Sequence, residues 1–480
     1  MSARRRGPAL ALWLVVLVAP LLAVAVAQGA TSLADVAIGY RGEAVAEAWN
    51  PVRVVLRDVG AGSFELVVDQ GSLREGERPW TVTVPFPGGA GVRVLDLDVY
   101  LPVWRSLRWV VDAGGTIVAS GALDRASADR RPVDLVVSTR AGEVAQALAG
   151  RVVDVVGSDL PARAAAFGGV RSVWIDGTAE LPEPAALAAA AAGGAIVVVQ
   201  GAAVDDPALA PVRALADGGW WPSGVGGWWF GAAPSDVELT AARIDVAAVA
   251  TAFAASHVVA LPTFPPPARV AVVVAVYVVL VFLGWRLGGA VGLATWGWAV
   301  VAASVVATTA WRPPSTAVVE ARVLNVAGGE LALEQRALAV LTLPAGAVAV
   351  DVHARPAAVA TGGSVVGRTA RTEVALARWR GATLLEPPRA AAPVIAWGAD
   401  GLPRAIGPNP LRDVRIVGGD AWARLEPGRP PGAPSDPSPP TAVVAAFEAL
   451  LPPGSAWARD DAGWYALLPP APPFAAEVGP

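Results

Sequence analysis

The chain has 480 residues, 54% of them hydrophobic and only 16% charged, with a formal charge of −4. A charged fraction this far below the usual quarter or so predicts that part of the chain sits in lipid; the 37 basic residues, all arginine and spread along the chain, form no basic stripe for nucleic acid. Cysteine is absent and the histidines are two, His257 and His353, which excludes disulfides, thiolate nucleophiles and cysteine zinc sites and leaves too few imidazoles for a histidine metal cluster; no cofactor is expected.

The N-terminus reads Arg4-Arg5-Arg6, then an apolar run from Pro8, then Ala25-Val26-Ala27 before Gln28. Basic, apolar and small-x-small segments in that order predict a secretory signal peptide over 1–27, with an uncleaved signal anchor as the alternative; either sends the following chain out of the cytoplasm. Residues 33–125 contain short alternating runs separated by Gly, Pro and Asp, such as Val52–Leu56, Phe64–Val68 and Val92–Leu101, a pattern that predicts a β-sandwich.

From Pro132 the pattern changes. Apolar runs at Val133–Ser138, Val152–Val156, Ser172–Ile175 and Ala195–Val199 alternate with helical segments at Ala141–Ala149, Glu183–Ala192 and Pro207–Ala216, which predicts an α/β unit with a parallel sheet over 132–258. The stretch GGWWPSGVGGWWFG, residues 218–231, falls where a further strand is due. Trp228 and Trp229 are read as part of that strand, and Trp220-Trp221-Pro222 as a loop whose rings pack in the core, touch a membrane surface or stack on a ligand.

Uncharged stretches flanking Arg286 predict transmembrane helices over 268–286 and 289–311, with a buried soluble hairpin as the alternative. Beyond them, 316–424 reads as a β-rich domain, 425–441 as a Pro-rich linker and 442–480 as a small helix and strand unit. The expected fold class is therefore a multidomain membrane protein: β-sandwich, α/β parallel-sheet domain, two transmembrane helices and a C-terminal β-rich domain. Its expected place is the plasma membrane, with both large domains on the extracytoplasmic side.

This order of parts, with WNPVRVVL in the sandwich, AALAAAAAGGAIVVVQG in the α/β unit and VAVYVVLVFLG at the first apolar span, resembles a group of uncharacterised bacterial membrane-anchored proteins. Their α/β unit is similar to the class I glutamine amidotransferase fold, of flavodoxin type. Members are often encoded beside von Willebrand A-type membrane proteins and MoxR-type ATPases, so the resemblance implies a cell-envelope setting. It implies no reaction here, because the nucleophile of true amidotransferases is a cysteine.

The remaining chemistry is sparse. Val156-Gly157-Ser158-Asp159 follows a strand but lacks the second glycine of a Gly-x-Ser-x-Gly elbow. Ser158, Asp159 and Asp176 follow parallel strands, where open α/β sheets bind ligands, although polar residues there also cap helices and turns. With Trp220 and Trp221 they are the candidate ligand or membrane contacts. The expected function is a non-enzymatic, membrane-anchored envelope protein that binds a partner protein or envelope ligand. The alternative is an extracytoplasmic hydrolase using Ser158 or the strand-end carboxylates Asp159 and Asp176. The expected partners are an envelope or membrane protein and the lipid bilayer. N-terminal sequencing of the secreted form is expected to start at Gln28; a chain starting at Met1 contradicts cleavage.

Overall fold

The computed structural model describes residues 34–69, 80–124, 130–235, 267–310, 318–341, 346–350, 359–435 and 448–469, apart from a few short segments inside them, and fragments of 236–253. The expected signal peptide over 1–27, His257 and His353 lie outside the described residues.

The first part of the chain forms seven strands: β1 (Ala34–Ile38), β2 (Ala48–Arg57), β3 (Gly62–Asp69), β4 (Trp80–Phe86), β5 (Val92–Leu101), β6 (Ser106–Ala113) and β7 (Thr116–Asp124). A β-strand turns successive side chains to opposite faces, so Val52, Val54 and Leu56 of β2 and Phe64, Leu66 and Val68 of β3 all point inward and share one buried cluster. One sheet has the order β1-β2-β5; the other runs β4-β3-β6-β7. Beyond β4 this second sheet is continued by strands from far along the chain, since Ser364–Arg368 pairs in parallel with β4.

Asn50 in the WNPVRVVL segment is buried and closes the turn before β2: its side chain accepts from the Val45 amide at 2.8 Å and donates to the Val45 and Ala48 carbonyls at 2.8 and 2.9 Å. Next to it, Trp49 packs on Ala165 and edge-on to Tyr100. The β unit thereby meets the next one, and the Arg151–Glu43 ion pair adds a second link.

That next unit is a six-stranded sheet. Its strands are β8 (Val133–Val137), β9 (Arg151–Asp154), β10 (Val170–Ile175), β11 (Ile196–Val199), β12 (Trp220–Ser223) and β13 (Gly226–Phe230), in the order β12-β13-β11-β10-β8-β9. All neighbours are parallel except the β12–β13 hairpin. Because β8, β10 and β11 are buried on both faces, they are dominated by apolar residues, continuously so in β11; the exceptions, Asp134 in β8 and Arg171 and Ser172 in β10, are paired with one another. The helix Pro184–Ala192 opens with Pro184 in its first turn, is nearly all alanine, and lies against this sheet, with Leu187 and Ala190 wholly buried.

The second half builds a nine-stranded sheet around the pair Val318–Gly328 and Leu331–Leu341. The C-terminal segment, set apart in the sequence reading as 442–480, contributes Ala456–Arg459 and Gly463–Leu467 to the middle of that sheet, the latter parallel to Val318–Gly328. The Pro-rich run after Leu425 folds back on the sheet: the Trp422 indole donates to the Gly432 carbonyl at 3.1 Å, and the Ser435 amide to the Ala421 carbonyl at 2.8 Å.

The expectation of a multidomain membrane protein with transmembrane helices over 268–286 and 289–311 is corrected. The chain is mostly β-sheet, and among the described residues no helix is long and apolar enough to cross a membrane. The segments do form helices, Pro267–Leu287 and Gly289–Ala310. However, the part of each with described side chains falls short of the roughly 20 residues a span requires. The expected transmembrane anchor is corrected on the same ground. The two helices meet where glycine permits: a Cβ on Gly292 would stand 2.5 Å from the Gly284 carbonyl oxygen.

The Gly-Trp stretch forms the junction between the α/β sheet and the nine-stranded sheet. Gly224 donates its amide to the Gly328 carbonyl at 3.0 Å, and a Cβ on Gly328 would stand 2.5 Å from the Gly224 carbonyl oxygen. Val225, Ala192 and Ala164 on one side share a buried cluster with Leu324, Val326 and Trp464 on the other. Gly328→Val is expected to lower the unfolding free energy by about 2 kcal/mol or more, the cost of overpacking a closed contact, measured by urea unfolding. Gly432→Ala, where nothing lies within 4 Å, is expected to stay within about 0.5 kcal/mol of the parent. Equal stability of Gly328→Val and the parent contradicts the junction.

Candidate functional site

The parallel strands carry the order β9-β8-β10-β11-β13, so the chain leaves β8 toward one side of the sheet and β10 toward the other. Between these neighbours, at their C-terminal ends, the connections diverge, and this switch point is where open α/β sheets place ligands. Two buried polar residues stand at that point, Ser138 just after β8 and Asp176 just after β10.

The carboxylate of Asp176 is surrounded by donors. Its Oδ2 accepts from the Ser138 hydroxyl at 2.7 Å and from an Arg140 Nη2 at 3.2 Å. Its Oδ1 accepts from the Thr178 amide at 2.9 Å and the Thr178 hydroxyl at 2.6 Å. The Ser138 oxygen in turn accepts from the Arg140 amide at 2.8 Å, and the Thr178 oxygen from the Thr139 amide at 3.0 Å. One carboxylate thus ties together the ends of two strands and the start of the helix Ala141–Ala147.

Burial of Asp176 raises its proton affinity, but the hydrogen bonds from Thr178, Ser138 and Arg140 outweigh this and hold its pKa below the usual aspartate value. A carboxylate so stabilised is a weak base. It orients the Ser138 hydroxyl without drawing off its proton, which efficient general-base catalysis near neutral pH requires. Arg140, with its side chain 57% exposed, faces solvent together with Thr139 and Thr178, while Ser138 and Asp176 are buried beneath them.

The other sequence-predicted residues lie elsewhere. Ser158 and Asp159 follow β9, which β8 separates from β10 in the sheet, and neither is among the hydrogen-bond partners of Asp176. They line a cleft of about 340 Å³ between the α/β unit and the β1-β2-β5 sheet. Trp220 and Trp221 are in strand β12, not in a loop. Trp220 is buried edge-on to Trp229, and Trp221 is half-buried beside Gly329, where a Cβ would approach its ring to 3.0 Å. Neither ring forms an open platform.

Ser138, Arg140 and Thr178 escaped the sequence reading. The signal was present: Ser138 ends an apolar run as Asp176 follows one. A further polar cluster is closed to ligands, because Asp134 is wholly buried and takes Arg171 Nε at 2.9 Å and the Ser172 hydroxyl at 2.6 Å within the sheet. Among the described residues no group of His, Asp and Glu is placed to hold a metal ion. Comparison with known protein families, curated proteins and solved structures finds no match.

The lowered pKa of Asp176 fixes a pH dependence. Its charged form is stabilised on folding, so the contribution is present above the unfolded value near 4 and is lost as pH falls through the lower folded value. The stability gap between the parent and Asp176→Asn is expected to hold from pH 7 to about 4 and to shrink below that, followed by urea unfolding across pH. A gap that does not change with pH contradicts the assignment.

Proposed function

We propose that the chain is a non-enzymatic binding protein whose α/β unit holds a partner protein or a cell-envelope ligand at the switch point beside Ser138 and Asp176. The observation that carries this reading is the donor-saturated carboxylate of Asp176. It supports a rigid polar rim topped by Arg140, whose guanidinium suits a carboxylate or phosphate group, and it leaves Ser138 without a strong base. The basic, apolar and small-residue order at the N-terminus supports an extracytoplasmic setting. The absence of cysteine from the chain supports binding in place of thiolate-dependent glutamine hydrolysis.

A hydrolase is the less supported reading. Ser158 follows β9 and Asp176 follows β10, with β8 between them in the sheet, and the Asp159 carboxylate stands 3.5 Å from Arg53 in an ion pair. The test is crosslinking of the full-length protein to an isolated envelope fraction, run beside an ester-hydrolysis assay. The expected result is a discrete crosslinked species that weakens at least about fivefold in Arg140→Glu, a cost in the range of one charge-assisted contact, with no turnover above background. Ester turnover that disappears in Ser138→Ala or Ser158→Ala contradicts the proposal.

A further inference from the structure

The cleft between the β1-β2-β5 sheet and the α/β unit is distinct from the switch point, and its charges are arranged differently. Its floor is the outer face of the sheet, where cross-strand pairing sets Ala37, Arg53 and Asp96 in one row. Its wall is the segment after β9, which carries Ser158, Asp159 and Arg163. Arg163 is committed: it donates to Asp98 at 2.9 Å and to the Leu97 carbonyl at 3.3 Å. Arg53 is held loosely. It stands 4.0 Å from Asp96 and 3.5 Å from Asp159, both longer than a good hydrogen bond, and its side chain is 47% exposed. Arg41, on the same cleft, stands 3.6 Å from Asp154.

A guanidinium between two carboxylates at such distances can turn to a ligand carboxylate with its planar fork. The carboxylates Asp96 and Asp159 it would leave behind repel a purely anionic ligand, and the three arginines on the cleft repel a purely cationic one. Charge balance therefore selects a ligand that carries both signs close together. A cleft of about 340 Å³ lies at the small end of ligand pockets, roughly 300–1,000 Å³.

We propose that this cleft binds a small zwitterion, an amino acid or dipeptide, with its carboxylate on Arg53 and its ammonium between Asp96 and Asp159. The Ser158 hydroxyl stands on the wall as a further donor, and Val155, Leu160 and Pro161 offer apolar contact to a small side chain. The inference goes beyond the switch-point reading and does not use its residues.

The test is calorimetric titration of the full-length protein with the dipeptide alanyl-alanine, its N-acetylated form and its C-terminal amide. Saturable binding of the unblocked dipeptide is expected, about tenfold weaker for either blocked form and about tenfold weaker in Arg53→Ala, the cost of one charge-assisted pair. Arg53→Lys keeps the charge without the fork and is expected to weaken binding severalfold, as is Asp159→Asn. Arg412→Ala, on the C-terminal sheet, is expected to bind as the parent does. Three results overturn the proposal: no saturable binding of the unblocked dipeptide at millimolar concentration, equal binding of the acetylated form, or unchanged affinity in the Arg53 variants.

Discussion

The contact between Gly224 and Gly328 is the constraint on which the arrangement of the chain depends. A side chain on Gly328 would run into the Gly224 carbonyl, and one on Gly224, whose φ is +62°, would run into the Ala192 backbone of the neighbouring helix; the two turns are distant in sequence. The approach seats Val225 and Ala192 in one cluster with Leu324, Val326 and Trp464. It thereby makes the α/β sheet and the nine-stranded sheet one packed body. The hydrophobic area involved supplies the stability; the glycines permit the geometry that buries it.

That body holds the switch point in fixed form. Helix Pro184–Ala192 is pressed between the parallel sheet and the junction, with Gly193 so close to the Ala164 carbonyl that a Cβ would stand 2.2 Å away. The strand ends that carry Ser138 and Asp176 are anchored in this core. A carboxylate with four donors in such a setting is an orienting group. It costs little to keep charged, and it defines where Ser138, Thr178 and Arg140 stand. The cleft differs in kind, because Arg53 is held at ion-pair range without tight hydrogen bonds and so keeps its donors for a ligand.

Local pattern made much of this legible. The run Val92–Leu101 emerges as β5 with the same limits, and the strand due after Gly226-Gly227 is β13, Gly226–Phe230. Pairing between distant segments was not legible. Trp220 and Trp221 are expected in a loop because glycine and proline surround them. They form a strand because β13 offers an antiparallel edge, pairing Trp220 with Trp229 and Trp221 with Trp228. The tail reads as a small separate unit, yet Gly463–Leu467 inserts beside Val318–Gly328 through parallel pairing that no local signal announces. Ser158 and Asp176 occupy equivalent strand-end positions in sequence; only the sheet order separates them. The helices Pro267–Leu287 and Gly289–Ala310 mislead in the other direction, since their uncharged apolar runs, with tryptophans at the ends and glycines between, predict spans that the described residues do not provide.

The α/β sheet and the nine-stranded sheet are one packed body joined at Gly224 and Gly328. Native-state hydrogen exchange at the Gly224 amide, which donates to the Gly328 carbonyl, tests it most directly. This amide is expected to exchange with the slow core amides of β11, through global unfolding. Exchange at the rate of an open turn, while β11 stays protected, contradicts it.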